Sequence, residues 1–81
     1  MNIHVRLHLF AGLRDRLGAT LEYHVVVGTS VGGVWRKVVG ERPEIRSIPV
    51  RFAIDEEYVK PSLRLDDDVE VAVFPPVSGG C

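Results

Sequence analysis

One cysteine, Cys81, is the whole thiol content of these 81 residues. It cannot close an internal disulfide, and a small secreted domain would usually carry several cysteines, so the cytoplasm is the expected compartment. Positive charge is not in surplus either: ten Lys and Arg stand against eleven Asp and Glu, a net charge of −1. A nucleic-acid binder concentrates Lys and Arg on one face to neutralise phosphates, so no nucleic-acid partner is expected. No stretch approaches the roughly twenty apolar residues of a membrane span, and no membrane partner is expected. The opening M-N-I-H-V-R-L-H alternates polar with apolar, unlike the continuous apolar core of a signal peptide. Linkers and internal repeats are missing, which fits a single domain. The glycine-rich G-T-S-V-G-G-V at 28–34 lacks the lysine of a phosphate-binding loop and the spacing of a dinucleotide fingerprint.

What is there is globular material, 46% hydrophobic and 26% charged. In I-H-V-R-L-H-L-F, period two puts Ile3, Val5, Leu7 and Leu9 on one face and His4, Arg6, His8 and Phe10 on the other. Ala11–Leu17 reads as short helical turns with Leu13 and Leu17 at i, i+4, ended by Gly18. L-E-Y-H-V-V-V at 21–27 is a second strand, closed by Gly28. The period then changes: Val31, Val34, Trp35 and Val38 form a helical stripe, with Thr29 or Ser30 as cap and Gly40 expected to end the helix in a left-handed conformation. Gly32 and Gly33 weaken that helix by roughly 1 kcal/mol each relative to alanine, so it depends on docking its stripe onto a sheet. Pro43 opens an irregular link. V-R-F-A-I-D-E-E-Y-V-K reads as two strands around a tight turn at Asp55-Glu56-Glu57, and V-E-V-A-V-F as a last strand with Val69, Val71 and Val73 inward. Pro75 and Pro76 stop it, because neither donates to a ladder. The order β-β-α-β-β-β predicts an α+β fold, one main helix packed across a mixed four- to five-stranded sheet.

The body offers little chemistry. His4 and His8 share a strand face and His24 lies on the next strand, but no cysteine or carboxylate cluster completes a metal site, so solvent-facing histidines are expected and no metal. Asp66-Asp67-Asp68 lacks the alternating ligands and closing glutamate of a calcium loop, and reads as a solvated turn. Cys81 has no base beside it.

The segment F-P-P-V-S-G-G-C at 74–81 differs. Pro75-Pro76 favours a stiff, extended exit from the last strand. Composition leaves two readings of Ser78-Gly79-Gly80. It is a frayed end, or a thin tether whose residues without Cβ atoms thread a partner's channel. Alternation puts Phe74 with Glu70 and Ala72 on the face away from the valines, where it either anchors a partner or covers the sheet edge.

V-E-V-A-V-F-P-P-V-S-G-G resembles the end of the MoaD/ThiS family of ubiquitin-like sulfur carriers, the MoaD branch in particular, whose members resemble the small subunit of molybdopterin synthase. L-F-A-G-L-R-D-R-L-G, T-S-V-G-G-V-W-R-K-V-V and F-A-I-D-E-E-Y-V look like its first strand and helix, central helix and hairpin, in the right order. The resemblance implies the β-grasp fold, with a domain at 1–74 and a tail at 75–81. It also implies a carrier and not an enzyme, with no bound cofactor. Gly80 would be adenylated by an E1-like enzyme that uses ATP, then converted to a thiocarboxylate that donates sulfur. Gly79 and Pro75, Pro76, Val77 and Ser78 would form the tether, and Phe74 a partner contact. A molybdopterin synthase large subunit would be the favoured acceptor partner; tRNA thiolation, cysteine synthesis and secondary metabolism stay open.

Departures from the family pattern are Asp68 in place of a turn glycine, Val69 in place of Asp, and Asp55 in place of Asn; aspartate tolerates left-handed turns, so the turns are expected to survive. The larger departure is Cys81, which locks Gly80 in a peptide bond. Cys81 is expected to be removed by a JAMM-type metalloprotease; it is otherwise an added residue, or a thiol acting directly on the Gly80 carbonyl or carrying persulfide. The alternative function is a ubiquitin-like modifier joined to lysines through Gly80.

Overall fold

The structure, a computed structural model, describes residues 1–75. Strict alternation in strand β1 (Asn2–Leu9) sets the layout: Ile3, Val5, Leu7 and Leu9 are buried and the residues between them are not. Fully burying such a side chain contributes about 1.5–3 kcal/mol, so this strand alone anchors much of the core. Helix α1 (Ala11–Leu17) inserts Leu13 and Leu17 into that core. Gly18, at φ 97°, ends it by donating its N–H to the Arg14 carbonyl at 2.9 Å. Strand β2 (Thr20–Val26) returns antiparallel to β1. Helix α2 (Val31–Glu41) follows, capped by Ser30, whose Oγ accepts the Gly33 N–H at 3.0 Å. Its buried residues are Val31, Val34, Trp35 and Val38, the stripe read from the sequence.

Strands β3 (Arg51–Ile54), β4 (Glu57–Val59) and β5 (Val69–Phe74) complete a five-stranded sheet in the order β2-β1-β5-β3-β4. β1 and β5 run parallel at its centre, Val5 beside Val69 and Leu9 beside Val73, while the other neighbours are antiparallel. One main helix across a mixed sheet in this order is the β-grasp arrangement. Val71 and Val73 are fully buried, and Trp35 meets Phe52 edge-on at 6.2 Å. Among the described residues no helix is long and apolar enough to cross a membrane.

Four local expectations change. Gly40 does not end α2: the helix runs on to Glu41, Arg42 is its cap, and Gly40 has no positive φ. Helical hydrogen bonding simply continues, the Arg42 N–H reaching the Val38 carbonyl at 2.8 Å. Gly32 is more than a weak point in the helix. A Cβ there would sit 3.1 Å from both the Cβ and the carbonyl oxygen of Pro61, and the Gly32 N–H donates to that same oxygen at 2.8 Å. The hairpin turn is tighter than expected. Asp55 (φ 52°) and Glu56 (φ 67°) form the whole two-residue loop and Glu57 already belongs to β4, because two consecutive positive φ values match the strand twist. Asp68, finally, takes no left-handed conformation. Its Oδ1 instead accepts the His4 N–H at 2.8 Å, which pins the loop before β5 to β1.

Candidate functional site

The tail residues named from the sequence, Pro76, Val77, Ser78, Gly79, Gly80 and Cys81, lie outside the described residues. Their root does not. β5 delivers Phe74 to the sheet face opposite α2, in line with Glu70 and Ala72, while Val71 and Val73 point into the core. Phe74 pairs with Arg51 of β3. The Phe10 N–H donates to the Val73 carbonyl at 3.2 Å, so the chain leaving β1 is stitched to the strand that carries the tail.

Phe74 is half-buried because two aromatic rings flank it. Phe10 meets it edge-on, centroids 6.3 Å apart at 75°, and Tyr58 lies tilted at 5.6 Å. The flanking rings are open to solvent, Phe10 at 46% and Tyr58 at 66%. Arg51 places its guanidinium 5.9 Å from the centre of the Tyr58 ring. Ala53, opposite both Ala72 and Tyr58 in register, adds almost no side chain. A shallow hollow of ≈ 280 Å³ therefore opens between Ala53, Glu56, Tyr58 and Phe74. Two aromatic edges and one carboxylate border this depression, with Phe10 flanking Phe74 and Arg51 lying over Tyr58 just outside it. Sequence reading found Phe74 and missed Phe10 and Tyr58. Alternation did put Phe10 on this face, but only the β3–β4–β5 register shows that Tyr58 reaches it.

The other half of the face is polar. His4 Nε2 lies 2.8 Å from Glu22 Oε1, and His8 Nε2 lies 2.8 Å from Glu70 Oε1. A carboxylate only accepts, so these ring nitrogens carry the protons. Arg6 Nε stands 3.5 Å from Glu22 Oε2 without hydrogen-bond alignment, a Coulombic contact only. The His4 hydrogen bond first, and the Arg6 charge second, hold the Glu22 carboxyl below its usual 4.5. His24 tilts against His4, ring centres 5.0 Å apart. Among the described residues no three His, Cys, Asp or Glu converge to hold a metal ion. On the helix side, Tyr23 donates its hydroxyl to Glu41 at 2.8 Å; burial, then that bond, push it up to about 12.

The ThiS family model matches residues 7–80, from the middle of β1 to the second glycine of the tail. The chain belongs to the ThiS family. It is thus a ubiquitin-fold protein of the sulfur-carrier or small-modifier kind, a group whose small carriers are generally non-catalytic. The HVO 2177 protein of Haloferax volcanii is 26% identical, with a TM-score of 0.83 over 98% of this chain and 88% of that one. SAMP1 of the same organism is 26% identical, with a TM-score of 0.77 over 95% and 99% of the two chains. A Pyrococcus furiosus protein described as molybdopterin converting factor subunit 1 is 23% identical and shares the fold, with a TM-score of 0.81 over 93% and 99%. This ThiS-family chain carries the common β-grasp body with the Phe10–Phe74–Tyr58 surface at the base of its tail.

Proposed function

We propose that this protein is a sulfur carrier whose reactive group is the Gly80 carboxylate, set free by cutting the Gly80–Cys81 bond. A carboxylate is a poor electrophile until one oxygen becomes a leaving group. An E1-like enzyme lets it attack the α-phosphorus of ATP, expelling pyrophosphate and leaving an acyl-adenylate. A sulfur nucleophile then adds to the acyl carbon and expels AMP, which gives the thiocarboxylate. The energy and the activating groups belong to the partner, and this chain contributes a surface and a tether. Gly79, Ser78, Val77, Pro76 and Pro75 form the tether. Phe74, with Phe10 and Tyr58, docks the body so that the tether enters the partner in one orientation.

The observation that carries this reading is the family match, which runs through the second glycine of the tail, Gly80. The likeness to a molybdopterin converting factor subunit supports a molybdopterin precursor as the sulfur acceptor, bound by a synthase large subunit. A JAMM-type metalloprotease removes Cys81. The test is reconstitution of the chain ending at Gly80, and of the chain retaining Cys81, with an E1-like enzyme, ATP and a sulfur donor. Intact mass should show one oxygen replaced by sulfur in the first and no change in the second. Thiocarboxylate formation at equal rate in both would overturn the assignment of Gly80.

A second reading, a modifier joined to lysines through Gly80, is supported by the likeness to SAMP1. Isopeptide remnants of the tail on cellular lysines, without thiocarboxylate, would establish it.

A further inference from the structure

The open edge of β2 differs from the other edge of the sheet. β4, at the far side, is three residues long and is followed by Lys60 and Pro61, which block further pairing. β2 is seven residues long and contains no lysine, proline or glycine. Two bonds fix which of its groups face outward. Leu9 N–H donates to Ala19 C=O and Val27 N–H to Met1 C=O, both at 2.9 Å, so odd-numbered residues of β2 bond to β1. The peptide groups of Thr20, Glu22, His24 and Val26 therefore point away from the sheet. Among the described residues only the Val26 carbonyl is taken, by the Thr29 N–H and hydroxyl. A long edge with a row of free N–H and C=O groups is a template for another strand.

We infer that this edge pairs with the same edge of a second copy, antiparallel, about a two-fold axis at Tyr23. The register follows from two constraints. Outward-facing residues must oppose one another, which permits only even shifts. Overlap of the entire strand requires that Thr20 oppose Val26. That register sets Glu22 against His24 of the second copy, and His24 against its Glu22. Axes at Glu22 or His24 shorten the ladder and place each residue opposite its own copy. His4 and Arg6 of β1 hold the Glu22 carboxylate on the inner side of the strand, while its side chain stays 52% exposed with acceptor sites to spare. Val26, 63% exposed, gains the Thr20 methyl of the second copy. The groups facing this pair are His4, Arg6, Glu22 and His24 of each copy. Because the two strands run in opposite directions, the pairing makes one continuous sheet with the Phe74 surfaces at opposite ends, both uncovered.

The experiment uses the full chain with Cys81→Ser, so that an added thiol reports alone. Tyr23 would lie directly opposite Tyr23 of the second copy, so Tyr23→Cys should form a disulfide-linked dimer under mild oxidation. Leu21→Cys, displaced along the ladder from its own copy, should not. Sedimentation of the unmodified chain should show dimer growing with concentration. His24→Glu sets carboxylates opposite each other at both symmetric positions and should raise the dissociation constant about tenfold. The swap Glu22→Lys with His24→Glu should restore it. Equal cross-linking at positions 21 and 23, or a monomer at all concentrations, overturns the inference. So does a His24→Glu variant that dimerises as tightly as the parent.

Discussion

Two glycines of one helix should answer the same substitution with opposite signs. Gly40 sits on the exposed side of α2, in helical conformation, and a Cβ there meets nothing among the described residues within 4 Å. Gly40→Ala removes only the backbone-entropy penalty, a gain of about 0.8–1 kcal/mol. In a domain of this size each kcal/mol moves Tm by about 4–8 °C. Gly32→Ala earns the same helical gain but drives a methyl to 3.1 Å from the Pro61 Cβ and carbonyl oxygen. That oxygen cannot swing aside freely, because it accepts the Gly32 N–H at 2.8 Å. Overpacking against backbone costs about 1–3 kcal/mol, and weakening the bond about 1 kcal/mol more. The net is a loss of about 1–3 kcal/mol. Urea and thermal unfolding of both variants, followed by circular dichroism, reads the difference directly. A Gly32→Ala protein whose Tm rises as far as that of Gly40→Ala would refute the reasoning, since the Pro61 loop would then yield without cost.

Phe74→Ala should leave the fold intact and weaken capture by an E1-like enzyme about tenfold, as loss of a central aromatic contact does; titration calorimetry checks it. Glu56→Gly should stabilise the hairpin by about 1 kcal/mol, because Glu56 holds φ 67° where glycine is unstrained; thermal melts decide. The folded-state pKa of Tyr23 is raised from 10.0 to about 12, so its contribution is complete below pH 10 and is lost as pH climbs from 10 to 12. Tyr23→Phe should flatten unfolding free energy against pH in that window.

Much of this molecule is legible in the sequence because its core strands and main helix obey simple periods. Ile3, Val5, Leu7 and Leu9, and Val31, Val34, Trp35 and Val38, are named by spacing alone and are all buried. The misses share a cause. Gly40 resembles a helix stop, but a glycine ends a helix only where the backbone actually turns left-handed, and here it does not. Ile45 lies in an irregular link with no period to reveal it, yet it is fully buried under the turn at Pro43–Ile45. Tyr58 looks like any hairpin residue. Its place beside Phe74 depends on β5 running between β1 and β3, and long-range order of that kind leaves no local trace.

The parallel contact of β1 with β5 carries a mechanical consequence. The amino end of β1 and the carboxyl end of β5 lie at opposite ends of the same ladder. A pull on the tail, with the body held near its first residues, loads those hydrogen bonds together in shear and does not peel them one at a time. An enzyme that draws the tail taut through a narrow passage therefore meets the stiffest direction of the sheet. The strand that leads into the tail is thus held against a pull along its own axis.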